Sequence, residues 1–153
     1  MANSLSKPER QKLATWFRMV RFINQSNNHS NDFLKQFGLT VSQFDMLNQI
    51  LLHQPLTQKE LAEHLIISKG GISQMVKKLE DNGWIAREKK ATQKYLTLTL
   101  AGQQLMDKCQ LQQARFQAAM FDGLSADENE ALAQIVRKLN NQLKEKGVVH
   151  YVE

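Results

Sequence analysis

Apolar side chains recur every three or four residues through most of the chain, a spacing that places them on one face of a helix. Two such stripes are long and lie near the ends of the sequence: Leu13, Trp16, Val20 and Ile23, and Leu132, Ile135, Leu139 and Leu143. A polar stretch over 25–32 interrupts the first stripe, and a short helix over 32–37 is then expected to end at Gly38. The pattern predicts a mostly helical protein with a long amphipathic helix at each end.

Four helix starts are marked by a capping box, in which a Ser or Thr is followed three residues later by Glu or Gln. Each side chain of such a pair accepts a hydrogen bond from the backbone N–H of the other residue. The pairs are Ser6 with Glu9, Thr40 with Gln43, Thr57 with Glu60, and Ser125 with Glu128. We therefore expect helices to begin just after the first residue of each pair.

The segment 57–82 contains two short apolar stripes. The first includes Leu61 and Leu65, a break follows at 66–68, and the second stripe runs to Gly83. Two short helices across a three-residue connection form a helix-turn-helix. An ordinary pair of helices inside a bundle is the alternative.

Residues 84–98 have a different composition. Aromatic and β-branched side chains over 84–87 and 95–99 flank a polar, charged segment over 89–94. This predicts a two-stranded hairpin with a charged tip, which makes the helix-turn-helix a winged one.

The expected fold class is therefore mainly α with a small β-hairpin wing, in the order α-α-α-α-α-β-β-α-α. Residues 1–38 would form the N-terminal helix and a short helix, and residues 99–153 the two C-terminal helices. Between them, residues 39–98 would form a lobe that contains the helix-turn-helix (57–82) and the wing (84–98).

Composition narrows the class of protein. The length of 153 residues fits one compact domain or one domain with extended arms. No run of apolar residues is long enough to span a membrane, and we expect no secretory signal at the polar N-terminus. The single cysteine, Cys109, suits a reducing compartment, so the expected location is the cytoplasm.

The net charge of +5 is unevenly distributed along the chain. Residues 1–56 and 57–98 each carry +3, whereas residues 99–153 carry −1. A basic middle segment indicates a polyanionic partner, although solvated charged faces are common.

The polar face of the second helix in the predicted helix-turn-helix suits DNA. Its candidate contacts are Ser68, Lys69, Gly71, Ser73, Gln74, Lys77 and Lys78. Lys donates to guanine, Gln pairs with adenine through two hydrogen bonds, and Ser serves either base. Lys77 and Lys78 are placed to meet phosphates, and Ser68 to cap the helix. Gly71 and the glycine before it either allow a close approach to DNA or simply mark the turn.

Taken together, these segments resemble the MarR family of bacterial winged-helix regulators. The resemblance is carried by 39–44 (LTVSQF), 56–62 (LTQKELA), 72–85 (ISQMVKKLEDNGWI) and 98–102 (LTLAG). It implies a homodimer whose N-terminal helix and last two helices are interleaved between protomers. It also implies sequence-specific binding of a pseudo-palindromic double-stranded DNA operator, usually as a repressor that is relieved by a small ligand or by oxidation.

The wing departs from the family pattern. Family members usually carry an Asp-Arg-Arg stretch whose arginine enters the minor groove, whereas 87–94 (REKKATQK) is shorter and lacks both the Asp and an Arg at the tip. The candidate DNA contacts are Arg87, Lys89, Lys90 and Lys94. Because ammonium groups recognise a narrow groove less well than guanidinium groups, we expect the wing to act through charge alone.

No enzyme, metal or cofactor site is recognisable in the sequence. The four histidines, His29, His53, His64 and His150, have no metal-ligand spacing, and phosphate-loop and nucleophile-elbow motifs are absent. We therefore expect no catalysis and no cofactor. A winged helix that binds protein is the competing interpretation, and its binding would depend little on salt.

Two further features bear on regulation. Cys109 lies on the apolar stripe of its helix and is either a buried structural thiol or a redox trigger. Five aromatic residues form either core or an effector pocket, since family effectors often bind between the dimerisation helices and the DNA-binding lobe. These residues are Trp16, Phe17, Phe33, Phe37 and Phe44.

Overall fold

The computed structural model describes residues 4–66 and 70–146, and the chain divides into two units, Met1–Gln117 and Ala118–Glu153. The first unit contains α1 (Lys7–Leu34), a 3-10 turn (Lys35–Phe37), α2 (Val41–His53), α3 (Gln58–His64), α4 (Ile72–Asp81), β1 (Ile85–Lys90), β2 (Gln93–Leu98) and most of α5 (Leu100–Ala119). The second unit contains α6 (Ala126–Glu145). The protein is mostly helical and has one antiparallel hairpin after the helix-turn-helix. This order of elements confirms the predicted fold class. In the described part of the chain, no helix is both long and apolar enough to cross a membrane.

The four predicted capping boxes are all formed. At α1, the Ser6 N–H donates to Glu9 Oε2 at 2.6 Å, and the Glu9 N–H donates to Ser6 Oγ at 3.3 Å. The same reciprocal pair opens α2, α3 and α6. These helices begin at the predicted residues because the signal is contained within four consecutive positions.

The predicted break over 25–32 is wrong. α1 runs without interruption for 28 residues, a length of about 42 Å, and only the 3-10 turn replaces the expected short helix. The stretch contains no Pro or Gly that would end a helix. Its Ser30 is buried and accepts a hydrogen bond from the Gln113 amide of α5 at 3.1 Å, so the polar residue faces another helix. Gly38 ends the 3-10 turn as predicted, with φ 73°.

The core of the first unit lies between α2, α3, α4, the hairpin and α5. Its fully buried apolar side chains include Met46, Leu47, Ile50, Leu61, Val76, Leu79, Leu96 and Met106. Leu56 extends the sheet by one residue, since it exchanges backbone hydrogen bonds with Leu96 of 3.3 and 2.7 Å. A lone hairpin is marginally stable in water, and these contacts anchor the wing to the helices.

Gly102 brings the start of α5 against the chain that enters the wing. A Cβ atom at Gly102 would lie 2.0 Å from the carbonyl oxygen of Trp84. The Thr99 N–H donates to the same oxygen at 3.0 Å, and the Thr99 hydroxyl donates to the Gly83 carbonyl. Only glycine fits this close approach.

The connection inside the helix-turn-helix is longer than predicted. α3 ends at His64 and α4 begins at Ile72, so the connection spans 65–71 and not three residues. Leu65 belongs to the apolar stripe and is buried, but its backbone is already extended. The N-cap of α4 is Gly71 at φ 67°, which takes the place predicted for Ser68.

Candidate nucleic-acid interface

α4 has one buried face and one polar face. Val76 and Leu79 are fully buried, whereas the candidate contacts on the opposite side are exposed: Ser73, Gln74, Lys77 and Lys78. At 3.6 residues per turn these four side chains cover an arc of about 140°. α4 therefore offers a continuous surface with hydrogen-bonding groups at its N-terminal end and two ammonium groups further along.

The remaining candidates near α4 differ in status. Ser68 and Lys69 lie outside the described residues. Gly71 is exposed, and its left-handed backbone places it in the turn ahead of the helix. This conformation favours the interpretation of Gly71 as a turn residue.

Gln58 is a member of this surface that the sequence reasoning missed. Its amide Nε2 donates to Ser73 Oγ at 2.8 Å, which joins the first residue of α3 to α4. The available signal was its place directly after Thr57, at the start of the first helix of the helix-turn-helix. In this motif the first helix crosses the DNA backbone while the second enters the major groove.

Asp45 holds the backbone of Ile66, at the start of the connection between α3 and α4. This buried carboxylate of α2 accepts the Ile66 N–H through Oδ2 at 2.8 Å and the Gln49 amide through Oδ1 at 3.5 Å. A buried carboxylate needs such donors to offset the loss of water. The connection 65–71 is therefore tied to α2 at its start.

The wing carries lysines on both faces of the hairpin. Strands β1 and β2 extend further than predicted, up to a two-residue turn at Ala91 and Thr92. Lys89 lies directly opposite Lys94, and Lys90 lies opposite Gln93 on the other face. These three ammonium groups give the hairpin tip a concentrated positive charge.

Arg87 is held against α4. Its Nε donates to Glu80 Oε2 at 3.1 Å, and each side chain is about one third exposed (31% and 37%). An ion pair of this exposure contributes about 0–1 kcal/mol, so its main effect is to orient the wing relative to α4. The guanidinium predicted to contact DNA thus has an intramolecular partner.

His53 and His64 meet although they are separated in the sequence. Their rings stack with centroids 3.8 Å apart and an interplanar angle of 7°. Parallel rings keep their nitrogen lone pairs in separate planes, so the two histidines do not converge on one ion. Among residues 4–66 and 70–146, no three His, Cys, Asp or Glu side chains are grouped to hold a metal.

Cys109 is a buried thiol of α5. Its Sγ lies 3.9 Å from Met106 Sδ, and burial raises the pKa of the Cys109 thiol. A raised pKa lowers the fraction of reactive thiolate. These features favour the structural interpretation over the redox one.

The five aromatic pocket candidates form two separate groups. Trp16 and Phe17 are exposed and contact each other edge to face at 5.1 Å. Phe33, Phe37 and Phe44 pack against the core, and Phe33 stacks on Phe116 of α5 at 4.3 Å. Because Trp16 and Phe33 lie about 25 Å apart along α1, one protomer does not bring all five together.

Comparisons with known proteins agree with this architecture. A model of the MarR family matches residues 37–94. An HTH-type transcriptional regulator of Bacillus anthracis is 42% identical over 132 residues, which cover 86% of this chain and 90% of the relative. The chain belongs to the MarR family.

Solved structures of MarR proteins have the same fold. A putative MarR-like transcription regulator from Bacillus cereus ATCC 10987 has a TM-score of 0.81 at 13% identity, over 88% of this chain and 99% of that one. MepR of S. aureus, solved as a complex with DNA, has a TM-score of 0.69 at 25% identity, over 85% of this chain and 96% of that one. The resemblance stated from the sequence is thereby confirmed. As a MarR-family member, the protein is a DNA-binding transcriptional regulator and not an enzyme.

Proposed function

We propose that this MarR-family protein is a sequence-specific repressor that binds a pseudo-palindromic double-stranded operator as a homodimer. The observation that carries the proposal is the exposed polar face of α4, which has the groups that recognise base edges and phosphates. The MepR structure, a complex with DNA, supports a DNA partner for the same fold.

Within this proposal the residues of α4 have different tasks. Ser73 and Gln74 lie in the N-terminal half of the helix, where base edges are contacted in helix-turn-helix proteins. Lys77 and Lys78 lie one turn further and would meet phosphates. In the wing, Lys89, Lys90 and Lys94 would add sequence-independent attraction.

Unpartnered apolar surface supports the homodimer. Trp16 and Ile23 of α1 are 56% and 52% exposed, and Ile135 and Leu143 of α6 are 58% and 65% exposed. Surfaces of this kind mark association sites. A second copy of the chain would cover these stripes and set two recognition helices about 34–36 Å apart, one turn of DNA.

We also propose that a small ligand modulates DNA binding. A buried polar position on α5, three residues before Phe116, supports this: Gln113 Oε1 has no hydrogen-bond partner among the described residues. An unsatisfied acceptor of this kind costs about 1–3 kcal/mol, and a ligand with a donor would remove that cost.

Selection of bound genomic fragments by the purified full-length protein tests the proposed function. We expect a two-fold symmetric consensus and an affinity that falls steeply as salt rises, because each phosphate contact releases counterions. A protein-binding winged helix would give no consensus and little salt dependence. Transcription from a promoter that carries the selected site, with and without the protein, separates a repressor from an activator.

A further inference from the structure

Gln58 and Ser73 meet on the surface that the proposed function assigns to DNA. Gln58 is the first residue of α3, and Ser73 is the second residue of α4. Their hydrogen bond, from Nε2 to Oγ at 2.8 Å, joins the two helices across the connection 65–71. Ser73 is exposed, so its hydroxyl remains accessible to a partner outside the protein.

The direction of this hydrogen bond decides what the serine hydroxyl offers to that partner. A serine hydroxyl has one hydrogen to donate and two lone pairs with which to accept. The Gln58 amide occupies one of the two lone pairs, so the hydrogen and a single lone pair are left for the partner. Accepting one hydrogen bond also polarises the hydroxyl and strengthens the bond that it donates.

We propose that Gln58 is a specificity-determining residue, because it occupies one of the two acceptor sites of Ser73 and biases the hydroxyl toward donating a hydrogen bond into the major groove. The inference rests on the proposed function, which places this end of α4 against base edges. In the major groove guanine, adenine and thymine present acceptors, whereas cytosine presents only its N4 amino donor. Ser73 therefore favours guanine, adenine or thymine over cytosine at the base that it contacts.

Gln58→Glu should change the role of the Ser73 hydroxyl from hydrogen-bond donor to hydrogen-bond acceptor toward DNA. An ionised carboxylate only accepts, so it draws the hydroxyl hydrogen to itself and leaves the Ser73 lone pairs for the DNA. Amino groups of cytosine and adenine then become the favoured partners. The added negative charge lowers the affinity for all DNA, so preferences are compared relative to the binding of random duplex by the same variant.

Selection of bound sequences from a random duplex library tests the inference. The full-length proteins compared are the wild type, Gln58→Ala, Gln58→Glu, Ser73→Ala and the double variant Gln58→Ala/Ser73→Ala. For the wild type we expect cytosine to be depleted about threefold to tenfold at one position of each half-site, the effect of one hydrogen bond. Gln58→Ala and Ser73→Ala abolish the depletion at that same position, and the double variant adds nothing further. Gln58→Glu enriches cytosine there.

Gln36→Ala is the matched control. It removes an exposed glutamine whose amide donates to the Phe33 carbonyl at 2.9 Å, away from the helix-turn-helix, and should leave the selected site unchanged. Circular dichroism and thermal midpoints establish that each variant is folded.

The remaining outcomes overturn the inference in distinguishable ways. If the wild type selects a defined site and the Gln58 variants keep its cytosine depletion, the proposed function stands and the role of Gln58 is refuted. A change at a position that Ser73→Ala leaves unaffected also refutes it, because Gln58 would then contact DNA by itself. If the wild type selects no site, the proposed function fails and the inference fails with it.

Discussion

Lys89 and Lys94 are direct cross-strand partners in the wing, on the same face as the buried Ile85 and Leu96. Like charges opposite each other destabilise a hairpin. The turn beyond them adds strain, since Ala91 has φ 55°, a left-handed conformation that favours glycine. Both features destabilise the wing, and a polyanion bound at its tip, as the proposed function requires, would offset the repulsion between the two lysines.

Lys89→Glu should stabilise the wing and weaken DNA binding. Opposite charges replace the like-charge pair, which should stabilise the hairpin by about 0.2–1 kcal/mol. The affinity for any duplex should fall, because a negative group now faces phosphates. Thermal unfolding without DNA and fluorescence anisotropy with a labelled duplex measure the two effects. Lys138→Glu makes the same charge change on the exposed part of α6, and an equal loss of affinity in both variants would contradict a role of the wing.

Gln74→Ala and Lys77→Ala should weaken DNA binding in different ways. Gln74→Ala should cost about 1–3 kcal/mol on the preferred site and little on random DNA, because the proposed role of its side chain is to contact a base edge. Lys77→Ala should weaken binding to all sequences and lower the slope of log affinity against log salt by about one unit. Titrations of both duplexes at several salt concentrations distinguish the two. Equal losses for Gln74→Ala on specific and random DNA would exclude base recognition by Gln74.

Leu139→Asp should dissociate the homodimer. Leu139 is an exposed apolar residue in the stripe of α6, and a buried carboxylate without a partner is strongly unfavourable at an interface. Sedimentation at micromolar concentration should change from a dimer to a monomer. Asn140→Asp adds the same charge at the next position, off the stripe, and should remain dimeric. A stable monomer in the wild type would refute the proposed assembly.

Gly102→Ala should destabilise the first unit. The new methyl group would meet the backbone carbonyl of Trp84, which has no flexible end to move, so we expect a loss of about 1–3 kcal/mol. Chemical denaturation measures it. Gly123→Ala is the control, because a Cβ there meets nothing within 4 Å. Equal stability of the two variants would show that the start of α5 shifts readily.

Glu128 should make the start of α6 sensitive to acid. Its hydrogen bonds with Ser125 lower the pKa of the Glu128 carboxyl below the ordinary value of 4.5. A lowered folded-state pKa means that the stabilisation is complete above about pH 4.5 and is lost as the pH falls through the folded value. The stability difference between the wild type and Glu128→Gln should therefore shrink on acidification, as followed by helical circular dichroism at pH 7, 5, 4 and 3. A stability difference that stays constant from pH 7 to pH 3 would contradict this role of the Glu128 carboxylate.

The sequence by itself determined the features that depend on neighbouring residues. Ser6 and Glu9, three positions apart, meet at a helix start whatever surrounds them, and the same holds for the other capping boxes. Gly38 marks the end of the 3-10 turn for a similar local reason. The order of these signals, together with the stripe spacing, was enough to predict the winged helix-turn-helix, and the resemblance of segments such as 72–85 to MarR proteins indicated the family.

Only the tertiary structure decided the features that depend on distant partners. α1 continues through its polar stretch where Ser30 meets Gln113, 83 residues away. Leu65 is buried although its backbone is extended, so a residue of the apolar stripe lies after the end of α3 and not within the helix. Gln58 reaches Ser73 because α3 packs against α4, and His53 stacks on His64 because α3 also packs against α2. The pattern of apolar residues along the chain predicts which face of a helix or strand is buried. Which side chains contact each other between two elements depends on how those elements pack.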